Sequence, residues 1–199
     1  MQGPAGDRIK FRLDYWSTYA IICKHMVITG APVDASALIY LAKSGGLSAA
    51  CACFGGLVVS PAVWREVVVA GAPRGSPEVP DVLAAENSGL LRRVEFDATA
   101  RKRADRIGSQ FGLGAGESEA LTLGAIHGVV LLDEHRATRA CKALGVATIE
   151  TLLVPALCVQ ARVLDVPAAI ALLHALARHT TVRADMVLRV EQLIEEARP

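Results

Sequence analysis

Short apolar runs and longer segments with helix-like spacing alternate along most of the chain. Residues 27–33, 57–60, 90–96, 129–132 and 146–149 are too short for buried helices, and turn residues flank them, so they read as strands. Between them, residues 35–43, 47–54, 61–69, 82–87, 98–111, 117–127 and 135–144 read as helices. Three further helices are expected near residues 152–163, 167–177 and 184–197. The punctuation agrees. Gly45 and Gly46 stop one helix, Pro61 stands where proline starts another, and Gly112, Gly114 and Gly116 break the chain before a third. The Gly- and Pro-rich stretch 71–80 reads as a loop. Strands that are apolar throughout, alternating with helices, predict a parallel sheet covered on both faces. The expectation is therefore one three-layer α/β/α domain, residues 26–199, with a central parallel sheet of four to five strands. Residues 1–25 form an N-terminal extension of unassigned role.

Composition narrows this picture. Of the residues 52% are hydrophobic but only 5% aromatic, so the core must be aliphatic. A formal net charge of +1 excludes a nucleic-acid binder that works by coating its whole surface in positive charge; any such contact needs a local patch. The five cysteines, Cys23, Cys51, Cys53, Cys141 and Cys158, are odd in number and contain no CxxC pair. That pattern favours free thiols in a reducing cytoplasm over a disulfide framework. No secretory signal is evident. The uncharged stretch 44–64 has the length of a membrane span, but four glycines and Pro61 divide it into helix, turn, strand and helix start, so no membrane association is expected.

Parallel sheets carry their functional crevice beyond the carboxyl ends of the strands. Asp34 and Asp133 each follow a predicted strand directly. Glu66 lies one turn into the helix that opens at Pro61, and Glu117 opens a helix after the glycine-rich break. Each has an ordinary explanation when taken singly. Aspartate caps helices, and a first-turn glutamate is favourable to the helix dipole; Glu119 competes with Glu117 for any role at that helix start. Taken together, four carboxylates at two strand ends and two helix starts can face one crevice. Hard oxygen donors suit Mg2+ or Mn2+, which can activate water and neutralise charge on a phosphate.

These segments also carry a resemblance. Residues 33–39 (VDASALI) resemble the opening motif of PIN-domain nucleases, and residues 60–66 (SPAVWRE) resemble the second, which ends in glutamate. Residues 116–121 (GESEAL) are similar to the third acidic motif and residues 131–134 (LLDE) to the fourth. The order spans about residues 27–163 and is closest to the prokaryotic VapC-like branch. Its third acid is usually aspartate and its fourth motif Thr-x-Asp. Here Glu117 stands at the former, and Asp133 and His135 align with the Thr and Asp of the latter, so either Asp133 or Glu134 supplies the fourth acid. The resemblance implies a metal-dependent endoribonuclease, with Asp34, Glu66, Glu117 and Asp133 as catalytic metal ligands and Glu134 as a further candidate ligand. It also implies an RNA substrate, a homodimer and a small neutralising antitoxin protein. Ser36 would either contact a metal ligand or cap a helix.

Two basic groups are candidate RNA contacts: Arg92 and Arg93 with Arg101, Lys102, Arg103 and Arg106, and Arg136 with Arg139 and Lys142. Solvated helix faces would look the same. The displaced fourth acid supports a rival reading, a catalytically inactive PIN-like module that binds RNA or protein. Other nucleotide and hydrolase classes lack their signatures: there is no GxxxxGK[ST] loop and no GxSxG elbow.

Overall fold

The computed structural model describes residues 30–197. The N-terminal extension and the first residues of the expected strand at 27–33 lie outside the described residues. β1 (Ala31–Pro32), β2 (Leu57–Val59) and β3 (Leu91–Arg93) form one parallel ladder, β3–β2–β1, and β4 (Val129–Leu131) and β5 (Ala147–Ile149) form a second. A parallel bridge between Val33 and Leu131 joins them, and the Asp34 amide donates to the Leu131 carbonyl at 3.0 Å. The full order is therefore 3-2-1-4-5, with all strands parallel.

Pro32 explains why the join is so thin. Ala31 and Val33 donate to Gly56 and Val58 on the β2 side, so the amides of residues 32 and 34 point toward β4. Proline has no N–H to give. Among the described residues this leaves Asp34, just past the end of β1, as the donor on that side, and the sheet nearly parts between its first and fourth strands. Prolines are normally confined to sheet edges; this one sits in the central strand at the cost of a ladder bond.

Alternation along the strands builds the layers. Ala31, Val33, Leu57, Val59, Leu91, Val129, Leu131 and Ile149 face the larger core, with α1 (Ala35–Lys43), α2 (Leu47–Cys53) and α4 (Val79–Asn87). The same core takes α8 (Val154–Gln160), α9 (Val166–Ala177) and α10 (Ala184–Glu196). Val58, Val130 and Leu132 point the other way, onto α5 (Ala98–Phe111), α6 (Ala115–His127) and α7 (His135–Leu144). This is the expected three-layer α/β/α arrangement, and its side chains are largely aliphatic.

Most expected elements appear within a residue or two of their expected bounds. α4 starts three residues early, at Val79, because Pro80 is accepted in its first turn, and the preceding loop contains a 3₁₀ turn, Ala72–Arg74. β3 is shorter than residues 90–96. The helix after Pro61 is regular only as α3 (Pro61–Trp64) and continues as a π turn, Arg65–Val69, closed by an Ala70 amide to Arg65 carbonyl bond of 2.8 Å. The stretch 44–64 is divided into α2, β2 and α3, and among the described residues no helix is long and apolar enough to cross a membrane. Cys51, Cys53, Cys141 and Cys158 are free thiols; Cys23 lies outside the described residues. Cys53 and Cys158 hydrogen-bond one another, which, with burial, drives the Cys53 thiol far above its usual range.

Candidate metal centre

The strand order reverses between β1 and β4, which makes the carboxyl ends of those two strands the switch point of the sheet. Asp34 leaves β1 there, and Asp133 leaves β4 two residues after Leu131. The amide bond from Asp34 to Leu131 pins these two chain exits side by side.

Asp34 forms the floor. It is 3% exposed and caps α1, its Oδ1 accepting from the Ala37 amide at 2.8 Å. Its carboxyl pKa is pushed up from 3.8 to about 7. Burial is the largest cause, opposed by the Ala37 hydrogen bond, and the charges of Asp133, Glu117 and Glu66 add to it in that order. The structure thus brings all four sequence-predicted acids into one electrostatic neighbourhood. It also separates the two candidates for the fourth acid: Asp133 contributes to the field at Asp34, whereas Glu134 is exposed at the N-cap of α7.

The other three acids are held differently. Glu66 is exposed on the π turn, a distortion that recurs at functional sites. Its Oε2 passes over the start of α6, close enough that a Cβ at Gly116 would lie 3.2 Å away. Glu117, half-buried at the third position of α6, turns Oε2 back to accept from the Gly114 amide at 2.8 Å. That is half of a capping box, since Gly114 has no side chain to return the bond. Asp133 is clamped by Thr151, whose amide donates to Oδ1 at 2.7 Å and whose hydroxyl donates to Oδ2 at 2.6 Å. Burial raises the Asp133 pKa and these two bonds oppose it.

Sequence reasoning missed Thr151. The available signal was its position: it follows β5 on the same edge of the sheet as the acids. Thr151 is fully buried, so Thr151→Val should leave a carboxylate oxygen short of its donor and cost about 1.5–3 kcal/mol, the range for a hydrogen bond to a charged group. Thr151→Ser should stay near the wild type. Urea melts at pH 8 check this, and equal stability of the Val variant and wild type would remove the clamp.

Several candidates have roles other than chemistry. Ser36 is exposed, and the capping position it could have filled belongs to Asp34. Arg93 stacks over the Trp64 ring at 4.5 Å and pairs with Glu86 at 3.9 Å. Arg101 donates to the Phe96 carbonyl at 3.0 Å. Arg92, Lys102, Arg103, Arg106, Arg136, Arg139 and Lys142 are exposed. A separate cavity of about 410 Å³, lined by Ala42, Lys43, Pro77, Asp81 and His179, sits toward the other end of α1 and includes none of the four acids.

Among the described residues, no three His, Cys, Asp or Glu side chains stand close enough together to hold one metal ion as they are. The donor set nevertheless fits a hard divalent cation. It consists wholly of carboxylates, and its innermost member resists ionising because it is buried, with the like charges of Asp133, Glu117 and Glu66 adding to that effect.

Fold and site together define an α/β protein with a carboxylate cluster at the switch point of a parallel sheet. A family model described as "DUF3368: PIN domain" matches residues 32–196, and the chain belongs to this PIN-domain family. PIN domains are generally nucleases and usually depend on Mg2+ or Mn2+. Comparisons with curated proteins and with solved structures gave no match.

Proposed function

We propose that this chain is a divalent-metal-dependent endoribonuclease whose Asp34, Glu66, Glu117 and Asp133 together hold Mg2+ or Mn2+. The observation that carries this reading is the placement of Asp34, a buried carboxyl at the switch point that feels the charges of Asp133, Glu117 and Glu66. A cluster of that kind is repulsive by itself, and a divalent cation is its natural complement. When bound, such an ion lowers the pKa of water and neutralises charge on a phosphodiester.

The chain's own residues divide the remaining work. Asp34 is fixed by its cap to α1, and Asp133 by Thr151, so this pair is rigid. Glu66 and Glu117 are on the solvent side of the site, where side-chain rotation can bring their oxygens inward. The Thr151 bonds to both Asp133 oxygens are the observation that favours a non-cleaving binding module instead. A carboxylate offers about four lone-pair directions, however, and Thr151 uses two. Arg136, Arg139 and Lys142 are exposed on α7, the helix that follows Asp133, and are the candidates to contact a phosphate backbone.

Incubation of the full chain with single-stranded RNA tests the proposal. Cleavage should require Mg2+ or Mn2+, stop with EDTA and return with excess Mn2+. Undiminished cleavage in excess EDTA overturns it, as does equal cleavage by an Asp34→Asn preparation, which would point to a contaminating nuclease. As the biological setting we propose the toxin of a toxin–antitoxin pair acting as a homodimer in the cytoplasm. A short adjacent reading frame encoding a protein that binds this chain and suppresses cleavage would support it. A monomeric elution volume would count against the dimer.

A further inference from the structure

The acids Glu117 and Glu119 stand two residues apart on α6, so they point to sides of the helix about 200° apart. Glu117 turns toward Gly114 and the field at Asp34, and Glu119 turns toward α3. Glu119 Oε2 accepts from the Ala62 amide at 2.7 Å across 57 residues of sequence, and its Oε1 lies 4.0 Å from an Arg65 guanidinium nitrogen. Its side chain is only 14% exposed.

The donors at the start of α3 show what this bond does. A helix leaves its first amides without internal partners. Pro61 has no N–H, the Val63 amide goes to the Ser60 hydroxyl at 3.2 Å, and the Trp64 amide goes to the Ser60 carbonyl at 3.0 Å. The Ala62 amide is the remaining one, and Glu119 supplies its acceptor from another helix. Four residues beyond Ala62 is Glu66, whose carboxylate overhangs Gly116. The bond therefore ties the helix that carries Glu66 to the helix that carries Glu117, close to both acids.

We infer that Glu119 is a positioning residue: it caps α3 from α6 and so fixes where Glu66 and Glu117 stand relative to each other. This rests on the proposed metal-binding reading of the four acids. The cap needs an acceptor oxygen but no negative charge, and that separates it from direct ligation. Glutamine keeps a carbonyl oxygen at the same reach, and alanine keeps none.

The experiment is a calorimetric titration of the full-length wild type, Glu119→Gln and Glu119→Ala with Mn2+ alone. Amide exchange at Ala62 is followed by NMR without metal, and circular dichroism verifies the fold. Glu119→Ala should lose affinity for Mn2+ roughly tenfold, the scale on which supporting partners act, and its Ala62 amide should exchange faster. Glu119→Gln should stay within about threefold of wild type on the same scale and keep Ala62 protected. Equal losses in both variants would make the charge itself essential and overturn the inference in favour of direct ligation. Wild-type affinity or a protected Ala62 amide in Glu119→Ala would overturn it as well. A wild type that binds no Mn2+ would refute the metal-binding reading and, with it, this role; Ala62 exchange would then report only on the cap.

Discussion

Asp34→Asn should abolish RNA cleavage and most of the response to Mn2+, yet yield a metal-free protein more stable than wild type at pH 8. The loss of function follows from the place of Asp34 at the floor of the site, where its charge meets those of the other three acids. Removing it should reduce cleavage by at least the roughly 100-fold that loss of a supporting metal partner alone can cost. The gain in stability has a separate cause. Asp34 titrates near 3.8 when unfolded and at about 7 when folded, so between those values the native state binds the extra proton. Its contribution is present in full below the lower value, is lost as pH rises toward 7, and does not change above it. The displacement corresponds to an upper bound on the order of 4 kcal/mol, and relaxation of the site would reduce it. Asparagine keeps the cap on Ala37 and never ionises. The variant should therefore match wild type near pH 4 and exceed it by at least about 1 kcal/mol at pH 8. Urea melts at both pH values, with and without Mn2+, check all of this. If Asp34 were only a helix cap, stability, metal response and cleavage would all stay close to wild type.

Affinity for Mn2+ should fall about tenfold between pH 8 and pH 6, because the cation must displace the proton that Asp34 holds below pH 7. Asp133, also raised by burial, adds in the same direction. Calorimetry at pH 7 in two buffers of different ionisation enthalpy should detect release of roughly half a proton per ion bound, from Asp34 at its midpoint. Asp34→Asn should lose that release along with most of its affinity. A pH-independent affinity over this range would mean that the ion does not engage Asp34.

The sequence by itself determined the layer architecture. All-apolar strands between amphipathic helices have one economical solution, a parallel sheet covered twice, and glycine and proline placed most boundaries to within a residue or two. It also determined which acids stand at strand ends and helix starts, because local chemistry fixes those positions. Tertiary structure decided the rest. The order 3-2-1-4-5, which sets Asp34 beside Asp133, arises from pairing between segments about a hundred residues apart. The thin join at Pro32 becomes visible only once its neighbour on that side is known. The distinction between Asp133 and Glu134 depended on which side chain turns inward after β4, and adjacent residues give no periodic signal for that. The roles of Glu119 and Thr151 are hydrogen bonds spanning 57 and 18 residues, set by how α6 packs against α3 and where the chain re-enters after β5. The raised pKa of Asp34 belongs to the same class: it is produced by burial and by charges from three other segments, and those exist only in the folded chain.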